Sequence, residues 1–275
     1  MGEKINIIDF TAKNPIVSIA MLAYNHENYI VEAIESALMQ KTNFYFQLVI
    51  SEDFSPDSTR SILLDYQSRF PHKIKLLLQE KNVGSMQNSY NLLTNVDGKY
   101  IAVLECDDLW TDPLKLQKQV DFLEKNNDYS MVFHSVNVKN EIPTVNYSYP
   151  LPSKTTLTFN NILRKNYVPT CSLMYRKSHA PNPLPLFFSK CMMGDIPLEL
   201  MLADKGKIFF MNEKMATYRK NNTGITLNKN QIKNGRKGYI FVYKNLIKYF
   251  FPRHFFILTL KLSLTKAGVL KTLFK

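Results

Sequence analysis

Between residues 16 and 133, short apolar runs alternate with segments whose apolar residues recur at helical spacing. This alternation leaves few folds open. The runs are Ile16–Leu22, Phe46–Ile50, Lys73–Leu78, Tyr100–Leu104 and Tyr129–Phe133. The first is a continuous, partly β-branched block, which suits a buried strand. The segments between them read as helices. Ile30, Ala33, Ile34, Ala37 and Leu38 form one face, with Asn28 as N-cap. Ile62, Leu63, Tyr66 and Phe70 form a second. Residues 87–94 follow the turn Asn82-Val83-Gly84, and Leu116, Val120 and Leu123 mark a fourth helix. Strand and helix alternating through short connections imply right-handed crossovers and a mostly parallel sheet, so the expectation is an α/β fold. Residues 1–14 read as a lead-in. Beyond about residue 140 the periodicity weakens and prolines accumulate, so that part reads as loop-rich.

The chain of 275 residues is 45% apolar and 21% charged, a balance that lets a globular domain bury a core. Its net charge of +12 is unevenly placed. From Ile225 onward there is no Asp or Glu, while eleven Lys and Arg residues fall there. Interleaved with them are Tyr239, Phe241, Tyr243, Tyr249, Phe250, Phe251, Phe255 and Phe256. Residues 226–275 are therefore expected to form a helical, basic, amphipathic segment with an anionic membrane surface as partner. The alternative is a helix pair packed on the preceding domain with solvated cations. No nucleic-acid-binding module is present, so nucleic acid is not an expected partner. Cys106, Cys171 and Cys191 are few, odd in number and not at metal-ligand spacing, which suggests reduced thiols in the cytoplasm. No apolar leader and no uninterrupted apolar run of about 18 residues is seen, so neither secretion nor a spanning helix is expected.

In open parallel sheets, ligands bind at the carboxyl ends of the strands. Three polar clusters fall there: Tyr24-Asn25 in the turn Ala23-Tyr24-Asn25-His26-Glu27, then Glu52-Asp53, then Glu105-Cys106-Asp107-Asp108. Consecutive carboxylates repel one another, and a hard cation such as Mg²⁺ or Mn²⁺ relieves that repulsion while preferring phosphate as a further ligand. Such a metal would support a diphosphate leaving group. The bland alternatives are a helix N-cap at Asp107-Asp108 and a turn at Glu52–Thr59.

At this point the chain resembles the inverting glycosyltransferases of family 2, with the GT-A fold, a Rossmann-like sheet flanked by helices. The resemblance runs from about Pro15 to about Asn222. It rests on Val17–Asn25, Ile50–Thr59, Asn82-Val83-Gly84, Leu104–Trp110, Gly194–Leu198 and Tyr218-Arg219 in that order. It implies a GT-A domain over residues 15–225 and a nucleotide-sugar site built from Ala23, Tyr24, Asn25, Glu27, Asp53, Asp107 and Arg219. Ala23 and Tyr24 would line the nucleoside pocket, with the Tyr24 ring on the base. Asp53 would accept a hydrogen bond from a uracil-like imide. Asp107 and Asp108 would hold Mn²⁺ or Mg²⁺ with the ribose and diphosphate, and Glu105 stands at the first acidic position of the motif. The family has Asp where this chain has Glu105 and Glu52. Asp195 would be the catalytic base, its alternative being an ordinary helix start. Arg219 and Lys220 would clamp the diphosphate, or be solvated surface charge. The implied acceptor is a glycan or lipid-linked saccharide of a bacterial surface polysaccharide, and the implied place is the cytoplasmic face of the cell membrane. Two rival readings remain. A nucleotidyltransferase would carry a Gly-rich phosphate loop, which Ala23–Glu27 lacks. A non-catalytic sugar-binding protein would keep the fold without turnover.

Overall fold

The computed structural model describes residues 4–142, 147–221 and 229–268. The strands are β1 (Ile5–Ile8), β2 (Val17–Ala23), β3 (Phe46–Glu52), β4 (Ile74–Gln79), β5 (Tyr100–Val103), β6 (Leu109–Trp110), β7 (Tyr129–Asn140), β8 (Thr156–Leu157), β9 (Met174–Arg176) and β10 (Lys207–Lys220). The helices are α1 (Ile30–Leu38), α2 (Thr59–Arg69), α3 (Ser85–Thr94), α4 (Lys115–Lys125), α5 (Phe159–Arg164), α6 (Asp195–Ala203), α7 (Lys229–Phe250) and α8 (Phe255–Ala267).

One sheet takes them in the order β1-β4-β3-β2-β5-β9-β7-β10-β6, with β8 on β10. Strands β4, β3, β2 and β5 are paired in parallel. β9 lies antiparallel to both β5 and β7, so β7 and its parallel partner β10 point the same way as that block. The mostly parallel sheet is as expected. Its antiparallel members are the short or terminal strands.

The pleat explains the layering. Val17, Ile19, Met21 and Ala23 of β2 face α1, α2 and α4, while Ala20 faces the opposite core with α3, α5, α6, α7 and α8. Alternate side chains of one strand thus feed two cores, which is why β2 reads as a continuous apolar run. Gly98 is needed just before β5, because a Cβ there would sit 2.4 Å from the backbone nitrogen of Ser18. Cys106 and Cys171 lie in the first core and Cys191 in the second, and all three are buried free thiols.

Three readings of the sequence are corrected, and for the last segment the packed helix pair given as the alternative is seen. The lead-in contains β1, which adds an antiparallel edge to β4 through Ile5–Ile8 against Leu76–Gln79. Helix α1 is capped at Tyr29, not Asn28. The loop-rich half carries β8, α5, β9 and α6, short elements tied to the sheet by long-range pairing that local periodicity does not report. The last two helices are folded onto the domain: Val242, Tyr243, Leu246, Phe250, Leu258 and Leu262 are buried in the second core. The proposed boundary at 225/226 falls outside the described residues.

Candidate donor and acceptor site

The loops after β2 and β3 are laced together. The Asn25 N–H donates to Ser55 Oγ (3.0 Å), the His26 N–H to Thr59 Oγ1 (2.8 Å) and the Glu27 N–H to Asp57 Oδ2 (3.0 Å). Glu27 answers by accepting from the Ser58 N–H (3.0 Å). Its carboxylate is therefore spent on loop geometry at the exposed rim. Asn25 and Phe54 both adopt positive φ, 59° and 57°. For a bulky residue such as Phe54 this is a conformation the surroundings must impose. Here the bonded loops impose it, and they leave the rings of Tyr24 and Phe54 about half exposed at the strand ends. Ala23 is buried beside Tyr24.

Asp53 is only 2% exposed, and its carboxylate accepts from the backbone N–H of Val83 (2.7 Å) and of Gly84 (3.0 Å). It draws the loop before α3 into the site. Glu52 is fully buried, accepts from the Ser55 N–H (2.6 Å) and pairs with Arg60, whose guanidinium lies over the Phe54 ring.

The acidic cluster follows β5 as a tight turn closed by the Asp108 N–H on the Glu105 carbonyl (3.0 Å). A strand, β6, comes next, so the cluster is not a helix cap. Asp108 is buried: Oδ1 accepts from the backbone N–H of Arg219 (2.8 Å), while Oδ2 has no hydrogen-bond partner. Asp107 is less covered and accepts from Asn221 Nδ2 (3.2 Å). Burial pushes the Asp108 carboxyl well up, with Asp107 adding to the rise. Burial likewise raises Glu105, followed by the charges of Asp108, Asp107 and Asp195. Among the described residues no three His, Cys, Asp or Glu side chains converge into a self-contained metal site. The orphaned Asp108 oxygen beside Asp107 nevertheless fits a Mn²⁺ or Mg²⁺ ion that takes its remaining ligands from phosphate and water, which is how Mg²⁺ is commonly held.

Asp195 is the first residue of α6, behind the N-cap Gly194. Asn166 Nδ2 donates to its Oδ2 at 3.4 Å. Burial raises its pKa, against the helix-start N–H groups and Asn166, which pull it down. Its charge adds to the rise at Glu105, so Asp195 and the acidic turn share one electrostatic neighbourhood.

Arg219 does not stand open as a clamp. It is 6% exposed, pairs with Glu32, donates to the Asp107 carbonyl (3.2 Å), lies over the Tyr29 ring and is 3.8 Å from Glu141. It locks the end of β10 onto the acidic turn. Lys220 is also buried, between the Tyr147 and Tyr218 rings, with Glu105, Asp108 and Asp107 favouring its charge. Sequence reading passed over the aromatic cluster Tyr147, Tyr149 and Tyr218, which lies against Lys220. The pair Tyr147-x-Tyr149 close to an expected sugar site was the available signal. It also passed over His26, half-buried and within the electrostatic reach of Asp107 and Asp57. His134 is a core residue, with Nδ1 on the Ser135 carbonyl (2.7 Å), and Trp110 donates to the Cys171 carbonyl (2.8 Å).

A family model described as Glycosyl transferase family 2 matches residues 18–180. The chain belongs to that family. The uncharacterized protein Rv1520 of Mycobacterium tuberculosis is 34% identical over 210 residues, which is 76% of this chain and 60% of the relative. The chain therefore spans less than two thirds of that relative's length. The putative teichuronic acid biosynthesis glycosyltransferase TuaG of Bacillus subtilis is 28% identical, covering 78% of this chain and 83% of TuaG. Among solved structures, Staphylococcus aureus TarS 1-349 with UDP-GlcNAc aligns with a TM-score of 0.69 at 15% identity, over 93% of this chain and 73% of that one. The Pyrobaculum calidifontis mannosyltransferase PcManGT, solved with GDP-Man and Mn²⁺, aligns at 0.60 and 14%, over 94% and 76%. These likenesses show the GT-A fold.

Proposed function

We infer that the chain transfers a sugar, with inversion, from a UDP-sugar to a hydroxyl of a glycan or lipid-linked saccharide in the assembly of a surface polysaccharide. The observation that carries this is the acidic turn that follows β5 at the carboxyl edge of the sheet, where the Arg219 N–H holds Asp108 Oδ1 (2.8 Å) and Asn221 Nδ2 holds Asp107 (3.2 Å), leaving Asp108 Oδ2 without a hydrogen-bond partner. The names of TuaG, which refers to teichuronic acid, and of the TarS complex with UDP-GlcNAc support the polymer and the donor. The PcManGT complex with Mn²⁺ supports the metal.

The Tyr24 ring stacks on the base beside Ala23. Asp53 frames it through the Val83-Gly84 loop and accepts the uracil imide N–H, since a carboxylate accepts about four hydrogen bonds. Asp107 and Asp108 would hold a Mn²⁺ or Mg²⁺ ion, which would supply Lewis-acid stabilisation of the departing diphosphate. Lys220 adds positive charge, and Arg219 keeps Asp107 in place. Asp195 takes the proton of the acceptor hydroxyl as its oxygen attacks the anomeric carbon. The new C–O bond forms as the bond to the diphosphate breaks, releasing UDP. The protein works peripherally at the cytoplasmic face of the membrane. Among the described residues no helix is long and apolar enough to cross a membrane.

A panel of UDP-sugars with Mn²⁺ tests the reading by release of UDP. Asp108→Ala is expected to lose it, and Asp195→Asn to bind donor while losing transfer by about 10²–10⁴-fold. Pyrophosphate release in place of UDP, or no release with any donor, overturns the assignment.

A further inference from the structure

The first half of helix α8 carries large apolar side chains outward as well as into the core. Leu258, Leu262 and Thr265 are buried, whereas Phe256 is 85% exposed and Leu260, one turn on, is 59% exposed. The surface continues over the preceding turn through Phe251, 67% exposed, whose ring meets Phe255 (5.6 Å), which in turn meets Phe256 (5.6 Å). A contiguous exposed apolar patch of this kind marks an interaction surface.

Charge says what covers it. Residues 229–268 contain no Asp or Glu, and Lys244, Lys248 and Lys266 of the same two helices are exposed. Asp204, beside the turn, pairs with Arg253 (2.9 Å) and meets His254 Nε2 (3.0 Å), with Lys205 at 4.0 Å. Protein interfaces are depleted in lysine at their centres. Aromatic residues fringed by lysine, on a helix too short to span, are the chemistry of the anionic bilayer surface.

We propose that the α7–α8 turn and the outward face of α8 are the surface by which this protein docks on anionic lipid, with Phe251, Phe256 and Leu260 at the headgroup–acyl boundary. Most of the apolar content of the C-terminal segment is already spent on the core, so docking is confined to this stripe. The covered side of α8 ties the stripe to the site. Helix α8 follows a turn held on Asp204, at the far end of α6, and Lys261 Nζ donates from that covered side to the carbonyl of Arg164, the last residue of α5 (3.4 Å). Asn166, two residues on, bonds Asp195, the base of the transfer reading. The docking surface itself does not rest on that reading.

Co-sedimentation of the full chain with vesicles of phosphatidylcholine alone, and of an equimolar mixture with phosphatidylglycerol, tests it without donor or acceptor. The wild type is expected to sediment with the mixed vesicles and far less with the neutral ones. The double variant Phe251→Ser/Phe256→Ser should partition about tenfold or more weakly, and Lys248→Glu should weaken binding to mixed vesicles only. Unchanged partitioning of the double variant, or no sedimentation of the wild type, overturns the proposal. So does a wild-type dimer in lipid-free sedimentation velocity that the double variant dissociates. UDP release without vesicles should be the same in the double variant and the wild type. Vesicle binding without UDP release would sink the transfer reading and leave the docking surface standing. UDP release without vesicle binding would do the reverse.

Discussion

Asp195 is proposed as the general base, and its burial gives that role a pH signature. A general base acts only when ionised. Burial raises Asp195 above its ordinary 3.8, so the acid limb of kcat/KM should lie above that value, with activity lost as pH falls through it. The Asn166 amide pulls the other way, so Asn166→Ala should move the limb to higher pH. A limb that stays in place would remove Asn166 from the base's environment. Lys115 carries a stability signature instead. It is fully buried over the Trp110 ring, donates to Gln119 (2.7 Å), and burial lowers it from 10.5 to about 7. Between about pH 7 and 10.5 the unfolded chain holds a proton that the folded chain lacks, so this residue makes stability rise with pH across that window. Lys115→Met should flatten that rise, read as denaturant midpoints of variant and wild type at several pH values. Residue identities along the site were legible because strand ends announce themselves: an apolar run stops at a cluster of acids. What those acids bind within the protein was not. Arg219 pairs with Glu32, a residue 187 positions away in a helix face that reads as ordinary surface.

At the scale of elements, the long buried strands were readable because burial on both faces makes them uniformly apolar. β1 was not, because Ile5–Ile8 is partly exposed and only its pairing with β4 makes it a strand. Lys75 on β4 reaches back to Asp9 just after it (3.2 Å). Deleting residues 1–10 should therefore lower the thermal midpoint while leaving UDP release per folded molecule unchanged, since β1 lies at the sheet edge remote from β5. The loop before α3 behaves differently. It hangs from Asp53 by two backbone N–H groups, so Asp53→Ala should weaken donor binding and raise amide exchange at Val83 and Gly84. Protection equal to wild type there would show that the loop stands without it.

At the scale of the whole molecule, two cores share one sheet, and the C-terminal helices complete the second. The basic-aromatic composition of residues 226–275 looked like a segment destined for a surface. Helical spacing, however, gives each helix two faces, and composition does not say which of them the domain claims. Because Val242, Tyr243, Leu246 and Phe250 are buried, a chain ending at residue 228 should aggregate or bind hydrophobic dye rather than remain a folded domain. A soluble, cooperatively melting truncation would show that these helices are an accessory. The division into two cores has one more consequence, through the cysteines. Cys106 and Cys171 belong to the core under α1, α2 and α4, and Cys191 to the core under α6 and α7. Each thiol is sealed from solvent in the native state, so an alkylating reagent reaches it only when its own side of the sheet opens. Peptide mapping of the tags over time would make the chain its own stopwatch, with separate hands for its two halves.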